Sequence, residues 1–159
     1  NTESTAFYRK FTAKSAVNAR LYITALGLYE AYINGKKVGD EYFTPYCDDY
    51  RYILQYQTYD ILEYLCDGEN EIAVLCGNGW HGGRYPTNGV NGIGAFGKGF
   101  ILSAEIVSDG NTVLTTDDKW KEIQSPVIFS EIYDGEIYDA RKEIFNEYGK
   151  VYAEIILKA

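Results

Sequence analysis

The sequence predicts an all-β fold, a jelly-roll β-sandwich. Three observations carry this. Short runs alternate apolar and polar residues. Turn signals recur about every 8–12 residues. No long stretch carries the 3.6-residue period of an amphipathic helix.

The elements follow in order. Residues 7–12 alternate and read as a first strand. Residues 19–26 follow, with Leu21, Ile23 and Ala25 on one face and Arg20, Tyr22 and Thr24 on the other. Gly27 breaks the run, and residues 28–33 form the next strand. Asn34-Gly35 is the strongest hairpin signal in the chain, because both residues accept the positive φ of a type I′ turn. Residues 39–50 read as a loop holding Gly39, Asp40, Pro45 and the carboxylate pair Asp48 and Asp49. Residues 52–60 read as a long strand, 61–65 as one helical turn, and 71–76 as a buried apolar strand.

The pattern then changes. Residues 77–99 contain nine glycines and three asparagines without clear periodicity. An excursion of that length in a compact domain is usually functional. Strand character returns at 100–107, 112–116, 120–123, 126–129 and 132–138, with Asp-Gly turns at 109 and 134. The sandwich is expected to span 1–142. Residues 143–159 are expected to be a tail, either a last strand or the start of a linker.

A chain of 159 residues suits one domain. With 46% hydrophobic residues it can bury a core, and 16 tyrosines supply side chains with one apolar and one hydrogen-bonding end. The net charge of −8 and the lack of a basic cluster argue against nucleic acid. No apolar run reaches the length of a membrane span. Cys47, Cys66 and Cys76 cannot all pair and show no metal-type spacing. They are expected to be reduced, mostly buried thiols, which leans toward a cytoplasmic, reducing compartment.

Catalytic motifs are missing. The chain has no G-x-S-x-G, and its one His, His81, has no evident nucleophile partner. It has no phosphate loop. Gly92, Gly94 and Gly97 match G-x-G-x-x-G, but outside a strand-to-helix turn. A glycosidase needs two carboxylates across a cleft, and among 23 acidic residues some pair always meets that spacing, so the count decides nothing. The expectation is a domain without catalytic machinery of its own, cut from a larger enzyme.

Five separated segments carry a family resemblance: ARLYITALG at 19–27, YEAYINGKKVGD at 29–40, QYQTYD at 55–60, LCGNGW at 75–80 and IYDGEIYDAR at 132–141. Together, in this order, they resemble the N-terminal β-sandwich domain of bacterial α-L-rhamnosidases. The resemblance covers residues 7–142. It implies a fold similar to carbohydrate-binding modules of the galactose-binding-like kind. It also implies an accessory domain preceding a catalytic (α/α) barrel, which would be its partner within the parent glycoside hydrolase. In some relatives the domain binds L-rhamnose through calcium, near a Gly-Asn-Gly-Trp loop. The implied ligand is a rhamnose-containing saccharide.

Sugar recognition needs an aromatic face and groups that fix hydroxyls. Trp80 is the candidate platform, with a plug for the sandwich end as its other reading. Asn78 offers an oxygen to calcium or sugar, or holds a turn. Glu30, in mid-strand on a sheet face, is a hydroxyl acceptor or a solvated acid. Arg84 and Tyr85 are candidate sugar contacts, and carbonyls around Pro86 are conjectured to complete a cation site. Asp48 and Asp49 are calcium ligands or turn caps. Asp139 and Arg141 are expected to pair structurally. A second function remains open: a module that only packs on the barrel or mediates subunit contacts.

Overall fold

The structure is a computed structural model that describes residues 4–84 and 101–142, with the short strands at 145–146 and 149–150. Two antiparallel sheets face each other. One has five strands in the order β4 (Lys36–Lys37), β3 (Leu28–Ile33), β6 (Gly68–Gly77), β1 (Thr5–Ala13) and β9 (Lys121–Gln124). The other has four: β5 (Gln57–Asp60), β2 (Ala19–Leu26), β7 (Ile101–Ser108) and β8 (Asn111–Thr115). A separate hairpin joins β10 (Val127–Glu131) to β11 (Gly135–Tyr138). Strands β12 (Phe145–Asn146) and β13 (Gly149–Lys150) pair with each other.

Period-2 alternation builds the core, as a half-buried strand requires. Leu21, Ile23 and Ala25 of β2 turn inward with Leu102, Ala104 and Ile106 of β7. Facing them are Phe11 of β1, Ile33 of β3, and Ile72, Val74 and Cys76 of β6. Outer positions of the five-stranded sheet also carry apolar side chains. Ala6, Tyr8 and Ala73 form a second small cluster, with Tyr32 and Leu75 packed against it. The five-stranded sheet is therefore apolar on both faces.

The Asn34-Gly35 turn forms as expected, with φ of 48° and 78°. Asn34 does more than turn the chain. Its Nδ2 donates to Tyr64 O at 2.9 Å and to Asn70 Oδ1 at 2.7 Å, and its Oδ1 accepts the Glu71 N–H at 3.0 Å. Buried Asn70 in turn accepts from Cys66 N and donates to the carbonyls of Cys66 and Gly68. The polar groups at this end of the sandwich are thus matched.

Some expectations are corrected. The strand read over 52–60 shortens to Gln57–Asp60. Tyr52, Ile53 and Leu54 are exposed because local bonds hold the chain in a loop. The Tyr52 and Ile53 N–H groups donate to Asp49 O, and Asp48 accepts the Gln55 N–H at 2.7 Å. The helical turn at 61–65 is a 3-10 turn, Leu62–Tyr64. Only one cysteine is buried: Cys76, whose thiol burial pushes up to about 12. Cys47 and Cys66 are exposed and free. Residues 85–100 of the Gly-rich stretch and the 151–157 segment lie outside the described residues.

The chain crosses from one sheet to the other in a single residue. β2 ends at Leu26, β3 starts at Leu28, and Gly27 between them has φ of 117°. A Cβ there would sit 2.3 Å from Gly77 O. Gly27→Ala is therefore expected to cost at least twice what Gly110→Ala costs. The Gly110 change, in open space at φ 78°, meets only the positive-φ penalty of about 1–2 kcal/mol. Urea unfolding of both variants checks this.

Candidate functional site

The crossing at Gly27 sets one end of the sandwich. β6 ends there at Gly77, and the chain winds into a four-residue helical turn, α1 (Gly79–Gly82). Gly79 has φ of 52°, and a Cβ on it would press on Leu28 Cγ at 2.6 Å. Gly82 and Gly83 donate to the carbonyls of Asn78 and Gly79, both at 3.0 Å. A Cβ on Gly83 would meet Gly79 O at 2.3 Å and Glu131 Oε2 at 2.7 Å. The glycines let α1 sit between the sheet crossing and β10.

Trp80 is partly buried on this turn. Its indole Nε1–H donates to Tyr133 Oη at 2.7 Å, which fixes the ring's edge. Phe43, 55% exposed, lies beside it with ring centroids 6.1 Å apart and planes tilted by 51°. Arg84 follows the turn. Its backbone N–H donates to Glu131 Oε2 at 2.8 Å, and its guanidinium grips the Asp134 carboxylate with both Nε and Nη2. Trp80, Phe43, Tyr133 and the Arg84–Asp134 pair therefore form one surface: aromatic faces beside a fixed polar fork.

Phe43 is held there by the chain 40–56. Tyr29 N donates to Thr44 O at 2.8 Å, and Thr44 Oγ1 donates back to Tyr29 O at 2.9 Å, so this loop extends the edge of β3. Phe43 and Tyr46 take φ of 61° and 76°. Bulky residues in the left-handed region cost about 1–2 kcal/mol each.

Next to this surface, over the outer face of β3 and β6, opens a pocket of about 330 Å³. Leu28, Leu75, Phe43 and Val127 supply apolar walls, and Glu30, Glu131 and Glu136 supply carboxylates. Glu30 Oε1 accepts from Lys37 Nζ at 2.9 Å, and its Oε2 accepts from Tyr32 Oη at 2.7 Å. Lys37 also lies 4.5 Å from the centroid of the Tyr42 ring.

The structure gathers some expected site residues and disperses others. Trp80 and Arg84 share the end surface, and Glu30 lines the adjoining pocket. Asn78 is buried under the turn, its Oδ1 filling the space beside Gly82, so it is not displayed at the surface. Asp48 accepts from Gln55 through both its oxygens. Asp49 makes a two-pronged pair with Arg51, at 2.9 Å through each prong, which holds its carboxyl below the usual range. Among the described residues no group of three or more His, Cys, Asp or Glu is placed to hold a metal. Tyr85 and Pro86 lie outside the described residues. Asp139 and Arg141 do pair, at 2.8 Å, which depresses the Asp139 carboxyl to about 2.

Sequence reading missed Phe43, Glu131 and Tyr133, and took Asp134 only as turn chemistry. The IYDGEIYDAR segment did flag two of these four positions. Nothing in the alternation pointed to Phe43, whose placement comes from backbone geometry.

His81 is 2% exposed beneath Trp80, in an edge contact with Tyr50 at 5.1 Å. Among the described residues neither ring nitrogen has a hydrogen-bond partner, nor does the Tyr50 hydroxyl. Burial lowers the His81 pKa from its ordinary value and raises Tyr50 to about 12. The folded chain thus prefers neutral His81, while the unfolded chain takes a proton near pH 6.5. The stability is present above that pH and is lost as pH falls below it. The loss is expected to approach 1.4 kcal/mol per pH unit until the folded-state pKa is reached, about the linkage limit for one proton. Urea unfolding between pH 7 and pH 5 checks this, and His81→Phe should flatten the profile.

The family model of the α-L-rhamnosidase N-terminal domain matches residues 14–153. An α-L-rhamnosidase of Streptomyces avermitilis is 38% identical over 134 residues, covering 82% of this chain and 13% of that protein. One from Formosa agariphila is 34% identical, covering 82% and 14%. The chain thus spans a small part of the length of these relatives. Among solved structures, native α-L-rhamnosidase from Aspergillus terreus superposes with a TM-score of 0.82 at 38% identity, over 94% of this chain and 18% of that one. The Streptomyces avermitilis enzyme in complex with L-rhamnose superposes with a TM-score of 0.79 at 34% identity, over 87% and 14%. With two apposed antiparallel sheets and these matches, the chain belongs to the α-L-rhamnosidase N-terminal domain family.

Proposed function

We propose that this domain is a non-catalytic accessory module of an α-L-rhamnosidase and binds a carbohydrate such as L-rhamnose at the end of the sandwich that carries Trp80. The observation that carries the reading is the pairing of Trp80 and Phe43 beside the Arg84–Asp134 fork. The indole is partly exposed and held at its edge by Tyr133, and Phe43 is kept outward at a cost in backbone strain. A pyranose offers C–H faces to aromatic rings and hydroxyls to a guanidinium and a carboxylate. L-rhamnose in the Streptomyces avermitilis complex supports the choice of sugar.

The reading is built without calcium. Asp48 and Asp49 are engaged by Gln55 and Arg51, and Asn78 is buried, so these three do not fit a calcium ligand set as they stand. Calcium enters as an arm of the test. A second reading, packing of this domain on the catalytic barrel, has its own observation: Tyr52, Ile53 and Leu54 are 80%, 62% and 40% exposed on one loop.

Titration of the chain with L-rhamnose, followed by tryptophan fluorescence and heat in calcium and in chelator, tests the proposal. Saturable binding is expected, weakened at least tenfold by Trp80→Ala, a loss of about 1.4 kcal/mol. No response in either condition would sink the binding reading and leave the packing one.

A further inference from the structure

We propose that the pocket on the outer face of the five-stranded sheet is a cation site, which takes a guanidinium or ammonium group carried on an apolar stem. Three observations on the pocket itself lead there, independently of the carbohydrate reading.

The first is charge. Glu30, Glu131 and Glu136 line the pocket, and among the described residues no Lys, Arg or His does. Lys37 approaches from outside and answers Glu30 alone. Among the described residues, Glu131 and Glu136 are left without a cation.

The second is Glu131. It is 8% exposed, and its Oε2 accepts the Arg84 N–H while its buried Oε1 has no partner among the described residues. A buried carboxylate with one oxygen unmatched is costly, and a positive group seated close by offsets that cost better than a neutral one.

The third is shape. Leu28, Leu75 and Phe43 give the pocket apolar walls, and a volume of about 330 Å³ lies at the small end of ligand sites, roughly 300–1,000 Å³. An Arg or Lys side chain, or a small organic amine, lays its methylenes on such walls and keeps its head at the carboxylates. The exposed faces of Phe43 and Tyr42 add a cation–π contact, which Lys37 already makes with Tyr42. A bare metal ion fits poorly, since the carboxylates do not converge into a ligand group.

Three probes test this by amide shifts at Leu28, Gly79 and Ser130: agmatine, a capped pentapeptide with a central arginine, and the same peptide with neutral citrulline in its place. Both cations are expected to shift these amides saturably, and the citrulline peptide is not. Tighter binding of agmatine marks a free amine as the natural ligand, and tighter binding of the arginine peptide marks a polypeptide side chain. Glu131→Gln keeps an acceptor for Arg84 N but removes the charge. It is expected to weaken cation binding at least fivefold while raising the melting temperature by about 2–4 °C. Exposed Glu136→Gln should weaken binding without changing stability. Equal binding of the neutral peptide, no saturable shift from either cation, or a Glu131→Gln chain that melts lower with binding intact would each overturn the proposal. A cation response without a rhamnose response leaves this site standing and removes only the carbohydrate reading.

Discussion

The close approach of three glycines holds this end of the sandwich together. Gly27 passes the chain between sheets, and only the lack of a side chain lets it lie against Gly77 O. Gly79, two residues on from Gly77, packs against the same crossing through Leu28 and the Gly27 carbonyl carbon. Everything on the candidate surface hangs from this contact. α1 starts there, so Trp80 projects outward and His81 inward. Leu28, the first residue after the crossing, becomes a wall of the pocket. A side chain at Gly27 or Gly79 moves both sheet and turn, because interiors of this density do not absorb an added methyl locally.

The second constraint is electrostatic. β10 brings Glu131 to the turn, where it fastens Arg84 through a backbone N–H, and the hairpin brings Asp134 to the Arg84 side chain. One segment thus fixes the exit of α1 at two points. The indole bond to Tyr133 adds a third from the same hairpin. The aromatic surface and the acidic pocket share these supports, so the two are neighbours built by one hairpin against one end of the five-stranded sheet. A group bound in either is positioned by the same few bonds.

Much of this was legible in the sequence. Alternation gave the inward face of β2, and Asn34-Gly35 and Asp109-Gly110 gave the β3–β4 and β7–β8 hairpins, with φ of 47° and 78° at the second. Trp80 and Arg84 could be named because a buried strand opens into glycines there. Residues 52–56 misled because their β-rich composition is a weak guide where burial does not enforce it. There the bonds to Asp48 and Asp49 hold the backbone instead. Phe43, Glu131 and Tyr133 join the site only through tertiary contacts between segments some 40 to 90 residues apart, about which periodicity is silent.

The two ends of β3 differ in how they treat buried polar atoms. At the Ile33 end, Asn34 and Asn70 match one another and the backbone around them. At the Leu28 end, Glu131 Oε1, both nitrogens of His81 and the Tyr50 hydroxyl are buried and have no partner among the described residues. Native chains leave few such atoms, because each costs about 1–3 kcal/mol. Their concentration beside two strained aromatics and three glycine contacts is not what stability alone selects, since the opposite end shows that this sequence can satisfy its buried polar groups. The cost falls where Trp80 and the acidic pocket meet the surface, the end of the sandwich to which both proposed sites belong.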